Sequence, residues 1–203
     1  MTENLRRLGT VKITQVQPAG LIINTPQGYI YDPTRRLEVP KLKINQKGIE
    51  AENDRGDKLL DIHHADHPDT HYEGDNAISI GFTSHYDQMR SRFGDHMQDG
   101  VAGENIIIEL DELVWIKDLG QKIAFQNPNT GENVYLDVLK FAAPCDEFSH
   151  FAANSINERM PAEELKATLQ FLGDGRRGFL LKLSDNQESA TIMPGDLVFS
   201  VDA

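Results

Sequence analysis

The stretch 121–142, QKIAFQNPNTGENVYLDVLKFA, decides the fold. Two arms rich in β-branched and aromatic residues flank Asn127-Pro128-Asn129-Thr130-Gly131, a hairpin turn whose Asn, Pro and Gly each favour reversal of the chain. Further strands follow outward from it. GFLLKLS (178–184) and DLVFSVD (196–202) read as closing strands, with Met193-Pro194-Gly195-Asp196 turning before the second. Upstream, NIIIEL (105–110) reads as a buried strand and LVWIKDL (113–119) as another. At the N-terminal side, VKITQVQ and GLIINT flank the turn Pro18-Ala19-Gly20, and QGYIYDP makes a further short strand that Pro33 stops. Many short strands with frequent turns imply a mainly β chain folded as a compact barrel with a few short helices, rather than a βαβ sheet.

Two helices stand out. Ser84–Phe93 starts at a candidate N-cap, has Asp87 placed to complete a capping box, and ends at Gly94. Pro161–Leu172 has proline in its first turn, two glutamates near its positive end, and Gly173 to close it. Residues 36–60 read as irregular or edge strand, and Asp61–Asp75 as a loop. The connections are short, so residues 1–203 are taken as one domain: a core from about 61 to 202, with 1–60 supplying N-terminal strands of the same barrel.

The chain of 203 residues carries a formal charge of −12, which argues against nonspecific binding to nucleic acid or to an anionic membrane. No stretch is long and apolar enough to span a bilayer, and MTENLRRLGT has no apolar leader core. With one cysteine in the chain, these features lead to an expectation of a cytoplasmic protein.

That cysteine, Cys145, cannot form an intrachain disulfide. It is a buried inert side chain, a nucleophile or sulfur carrier, or a soft metal ligand. Asp146 and Glu147 directly after it place negative charge beside any thiolate, which disfavours a spontaneously reactive nucleophile but not a metal-bound sulfur. His63, His64, Asp66, His67 and His71 form a dense group that could bind a transition metal, or could hold turns around a pocket by hydrogen bonds. In Gly100-Val101-Ala102-Gly103-Glu104-Asn105 the glycines permit a close backbone approach. Its N–H groups could hold an anion, or its carboxylate and amide could satisfy nearby backbone groups. Arg90, Arg92, Arg176 and Arg177 could bind phosphate or neutralise the acidic surface.

Taken in order, several motifs resemble the MOSC family, named for the C-terminal part of molybdenum cofactor sulfurase. They are His71 to Asp75 followed by Asn76-Ala77-Ile78, His85-Tyr86, Gly103-Glu104-Asn105, Pro144-Cys145, Gly178-Phe179, and Pro194-Gly195-Asp196. The resemblance covers about Asp61 to Asp202. It implies a barrel like the small barrel domain of pyruvate kinase, with Cys145 facing a pocket as a molybdenum ligand or sulfur acceptor. Relatives often carry an arginine just before the Pro-Cys pair; Phe141-Ala142-Ala143 stands there in this chain.

The resemblance implies a molybdenum cofactor (molybdopterin), with no pyridoxal phosphate expected, and reduction of N-hydroxylated small molecules. The lone cysteine leaves no cluster for iron and sulfur, so electrons would come from a separate protein. In this expectation Cys145 is the metal ligand. Arg176 and Arg177 hold the cofactor phosphate, Gly103, Glu104 and Asn105 line the pocket, and His71 or His85 moves a proton. The alternative is a carrier that holds a persulfide or the cofactor on Cys145, takes sulfur from a donor protein, and uses its acidic surface to choose a basic partner.

Overall fold

The computed structural model describes residues 4–26, 28–53, 55–155 and 159–202. In chain order the elements are β1 (Asn4–Val16), β2 (Ile22–Thr25), β3 (Gly28–Tyr31), β4 (Leu37–Glu38), β5 (Leu42–Asn45), β6 (Gly48–Glu52) and β7 (Lys58–Leu60). Next come β8 (Ile78–Phe82), α1 (Thr83–Phe93), β9 (Ile106–Glu109), β10 (Lys122–Gln126), β11 (Asn133–Phe141), α2 (Asp146–Ala152) and α3 (Ala162–Leu172). β12 (Phe179–Leu183), β13 (Ser189–Ile192) and β14 (Leu197–Asp202) complete the order.

The hairpin β10–β11 forms as its sequence dictates, with Ala124 opposite Tyr135 and Gln126 opposite Asn133. Around it the ring runs β14-β10-β11-β12-β8-β9-β1, and β1 pairs back to β14. The result is a closed barrel of seven strands with no free edge in the ring. β1 spans the seam. Its first half pairs with β14 (Leu5 opposite Val201) and its second with β9 (Val11 opposite Ile108). Every pair in the ring is antiparallel except β8 with β9, which is parallel and joined through α1. One βαβ crossover therefore sits inside a barrel whose other ring pairs are antiparallel.

Leu8, Ile80, Phe82, Ile108, Phe125 and Leu181 belong to the main apolar cluster and are almost wholly buried. Each such side chain contributes about 1.5–3 kcal/mol relative to exposure. A second cluster lies where α1, α2 and β3 meet, and includes Tyr31, Tyr86, Met89, Phe148 and Leu172, with Cys145 packed against it. Val101 and Ala102, just before β9, join this second cluster, and the site forms beside them.

Several local expectations are corrected. LVWIKDL is not a strand: Ile116–Asp118 is a 3-10 turn in which the Asp118 carboxylate accepts the Trp115 N–H at 2.9 Å. Val114 and Leu119 still reach the core, so the apolar content that suggested a strand is used without one. Ser84 does not cap α1. It lies inside the helix and its hydroxyl donates to Glu112 O, while Asp87 pairs with Arg90. Gly94 does close that helix, and Gly173 closes α3, with Pro161 just outside its first residue.

Of the first sixty residues only β1 enters the closed ring. β4 extends the sheet beside β1, β2 and β3 form a separate hairpin, and β5, β6 and β7 join β13 in a second sheet. Leu42 and Ile44 turn into the core while Lys43 turns out, the alternation of a half-buried strand. Among the described residues no helix is long and apolar enough to cross a membrane.

Candidate functional site

A pocket of about 480 Å³ opens near the C-terminal end of β11. Gln17, His63, Gly103, Glu104, Ala143 and Arg177 are among its walls. The Gly100–Asn105 turn is rigidly tied. Gln15 Nε2 donates to the carbonyls of Gly100 and Glu104, Gln17 Nε2 to that of Gly103, and Tyr31 OH to that of Val101 at 2.8 Å. The N–H groups of Val101, Ala102, Gly103 and Asn105 are likewise spent on protein acceptors. The turn therefore supplies the pocket with shape and with the Glu104 side chain, and not with a free nest of amides.

Asn105 is a clasp. Its Oδ1 accepts Ser79 N and Oγ, and its Nδ2 donates to Asp61 Oδ2 at 2.8 Å. Asp61 in turn accepts Gln17 N and, through its other oxygen, His63 N. This network joins β1, β8 and the histidine-rich loop beneath the pocket.

Glu104 is different. It is 2% exposed, yet it lines the pocket. Its Oε2 accepts the Tyr86 O–H at 2.5 Å, and Tyr86 in turn accepts the Ala102 N–H. Its Oε1 is buried without a partner. Burial pushes the carboxyl up to about 7, outweighing the opposing effects of the Tyr86 hydrogen bond, the residue's own backbone amide, and the more distant Arg177 and Arg36. Burial and the neighbouring Glu104 likewise push the Tyr86 phenol well above its usual range. The space around Glu104 exists because neighbouring positions lack a Cβ. At Gly81 an added Cβ would lie 2.6 Å from Glu104 Oε1. At Gly178, whose φ is +99°, it would meet Ile80 O at 2.4 Å and Glu104 Cγ at 2.8 Å.

Arg176 and Arg177, adjacent in sequence, face different surroundings. Arg177 lines the pocket, donates to Ala143 O at 2.7 Å and lies over the Phe148 ring. It stands beside the segment that leads into Cys145, where the sequence has no arginine of its own before Pro144. Arg176 is engaged elsewhere. It donates to Gln88 Oε1 and Phe171 O and stacks over Trp115 and Phe171. Cys145 is a free, half-buried thiol immediately before α2, and its carbonyl accepts both N–H and O–H from Ser149.

The histidines separate as well. His85 is wholly buried among Phe82, Trp115 and Phe179, and neither ring nitrogen makes a well-formed hydrogen bond. Burial, with Arg176 nearby, lowers its pKa to about 4, so the ring is neutral at physiological pH. His71 is exposed, with its ring 6.3 Å from that of His63. His63 bonds Asp61, His64 Nδ1 accepts Asp66 N, and His67 bonds Pro18 O while accepting Asp69 N. These are the contacts of a loop held in shape. Among the described residues no group of three or more His, Cys, Asp or Glu is arranged to hold a metal ion.

The structure thus brings Gly103, Glu104 and Arg177 to one pocket, with Cys145 two residues beyond the pocket residue Ala143; it places Arg176, His85 and Asn105 in supporting positions and His71 at the surface. Sequence reasoning missed Gln17, Tyr31, Tyr86 and the Lys140–Asp75 pair at the rim. A tyrosine beside His85 was visible as part of a motif, but nothing in the chain announced that it would reach Glu104.

The family model described as MOSC domain matches residues 67–199. No curated protein matches the chain. Among solved structures, the fold is similar to that of the YuaD protein from Bacillus subtilis, with a TM-score of 0.51 and 13% identity, covering 95% of this chain and 99% of that one. It is also similar to YiiM from Escherichia coli, with a TM-score of 0.50 and 12% identity, covering 82% of this chain and 65% of that one.

Proposed function

This chain belongs to the MOSC domain family, and on that premise we propose that it binds the molybdenum cofactor through Cys145 and reduces N-hydroxylated compounds with electrons from a separate carrier protein. The observation that carries this reading is the Arg177 guanidinium, placed in the pocket and bonded to Ala143 O two residues before the free thiol. The residues present fit the cofactor. A soft thiol suits molybdenum, a guanidinium suits a phosphate, and a buried carboxyl with an unpartnered oxygen suits a ligand rich in N–H groups. The pocket volume lies within the range of small-molecule sites.

When bound, the cofactor supplies two-electron redox chemistry. Cys145 holds it, and the Ser149 bonds to the Cys145 carbonyl fix the backbone that presents the sulfur. Arg177 orients the anionic end. Lys140 at the rim is paired with Asp75 and adds less. The formal charge of −12 favours a carrier protein with a basic docking face.

The test is metal analysis of protein purified from a host that makes the cofactor, beside a Cys145→Ala variant of equal folded content. Near-stoichiometric molybdenum that the variant loses supports the reading. Molybdenum retained by the variant refutes Cys145 as ligand. Absence of molybdenum from both, with persulfide mass on Cys145, favours the sulfur carrier.

A further inference from the structure

We propose that Glu104 is the proton donor of this pocket, delivering a proton from Oε1 to the oxygen that leaves an N-hydroxylated substrate. The inference rests on the function proposed above and adds to it a residue in a catalytic role.

The geometry comes first. One oxygen of the carboxyl, Oε2, is saturated by Tyr86, whose own oxygen is held by the Ala102 amide. Oε1 is buried without a well-formed hydrogen bond, and it is the oxygen left to carry the proton toward a ligand. A buried polar atom left unpaired costs about 1–3 kcal/mol. The cost is removed when a ligand accepts from it or donates to it. Gly81 and Gly178 keep backbone against the carboxyl where any side chain would fill the space.

The electrostatics follow from the same surroundings. Tyr86 of α1 and Tyr31 of β3 are buried phenols with raised pKa values, and so neutral at physiological pH. Arg177 and Arg36 are the cations that act on the carboxyl, and Arg36 is tied to Gln15 Oε1. Of the other ionisable groups lining the pocket, His63 is bonded to Asp61 and Lys140 to Asp75, while Glu73 is exposed. The balance holds the Glu104 carboxyl near neutrality in its titration, where a group can both give and regain a proton at working pH.

The step balances. An amidoxime carries C=N–OH. Two electrons from the reduced carrier protein and two protons break the N–O bond, form an N–H bond and release water. Glu104 gives the proton that completes the water. It is left as a carboxylate stabilised by the Tyr86 O–H, and solvent at the pocket mouth returns its proton. The second proton comes from solvent.

Two measurements test this. Infrared titration of the protein, compared with Glu104→Gln, should show a protonated carboxyl band that is lost with a midpoint near 7 and is missing from the variant. A midpoint in the ordinary carboxylate range overturns the proposal. Turnover is then followed with an aryl amidoxime as substrate and reduced methyl viologen as electron donor. The wild-type rate should fall as pH rises through the carboxyl's midpoint. Glu104→Gln, with molybdenum retained, should be slower by about 10²–10⁴-fold and lose that pH dependence. Tyr86→Phe, which removes a donor to the carboxylate, should move both the band midpoint and the falling limb of the rate to higher pH. Molybdenum-loaded Glu104→Gln with an unchanged rate overturns the proton role alone. Wild-type protein without molybdenum overturns the proposed function and the proton role with it.

Discussion

Two buried ionisable groups occupy the two sides of the segment that carries Arg176 and Arg177. On one side His85 sits in a box of aromatic rings with Arg176 nearby, sealed from solvent. On the other, Glu104 has the same degree of burial but faces a pocket that Arg177 also lines. Both carry unpartnered polar atoms. Burial keeps each group uncharged over a wider pH range than usual, raising the acid and lowering the base. The difference is access. His85 is packed among aromatic rings as part of the core, whereas Glu104 borders a cavity, which puts a ligand within reach of its proton.

The comparison can be broken most severely at the glycine that makes room for Glu104. Gly178→Ala combines a left-handed backbone with a Cβ 2.4 Å from Ile80 O, so a loss of roughly 3 kcal/mol or more is expected. Urea unfolding of the purified variant measures it, and an unchanged midpoint would show that the backbone can move aside.

The pH dependence of stability separates the two groups by sign. Glu104, raised from the ordinary carboxylate range to about 7, binds more protons folded than unfolded. Its contribution is present below about pH 4.5 and is lost as pH rises to about 7. His85, lowered from 6.5 to about 4, does the opposite: its contribution is present above about pH 6.5 and lost as pH falls to about 4. Each is worth on the order of 3 kcal/mol over its window. The two slopes cancel where the windows overlap. Glu104→Gln should therefore reveal a stability that rises with pH between about 4.5 and 6.5, and His85→Phe one that falls. Thermal melts across that range check both, and parallel profiles for the two variants would contradict the assignment.

These variants bear on what could be read from the chain alone. The ring strands were legible because alternating apolar residues and strong turns such as Asn127–Gly131 act locally. The second sheet was not, since Leu42–Asn45 is short and finds its partner in Ser189–Ile192, far along the chain. The Gly103-Glu104-Asn105 motif was visible, but its two polar residues have opposite fates. Asn105 is fully bonded in a clasp and Glu104 keeps a free oxygen, which only the positions of Ser79, Asp61 and Tyr86 decide. Arg176 and Arg177 were indistinguishable in sequence; their separation depends on the turn from Gly173 to Gly178 and on where Trp115 lies.

Smaller effects sharpen the same contrast. Tyr86→Phe removes the side-chain donor to Glu104 Oε2 and should cost about 1–3 kcal/mol in unfolding free energy. Arg176→Ala removes two hydrogen bonds and two ring contacts and should cost about 2 kcal/mol. Arg177→Ala, with one bond and one ring contact at a half-exposed position, should cost less than about 1 kcal/mol while lowering cofactor retention. Equal losses of stability for the two arginine variants would erase the distinction drawn between the two sides.

The most direct test of the central claim is a crystal structure of the protein purified from a host that makes molybdenum cofactor. The account predicts the cofactor with its metal on Cys145 Sγ, its anionic end against Arg177, and its body in the pocket beside Gly103 and Glu104. Cofactor bound elsewhere, as in the second pocket near Asn133 and Asp196 at the opposite end of β11, would contradict it.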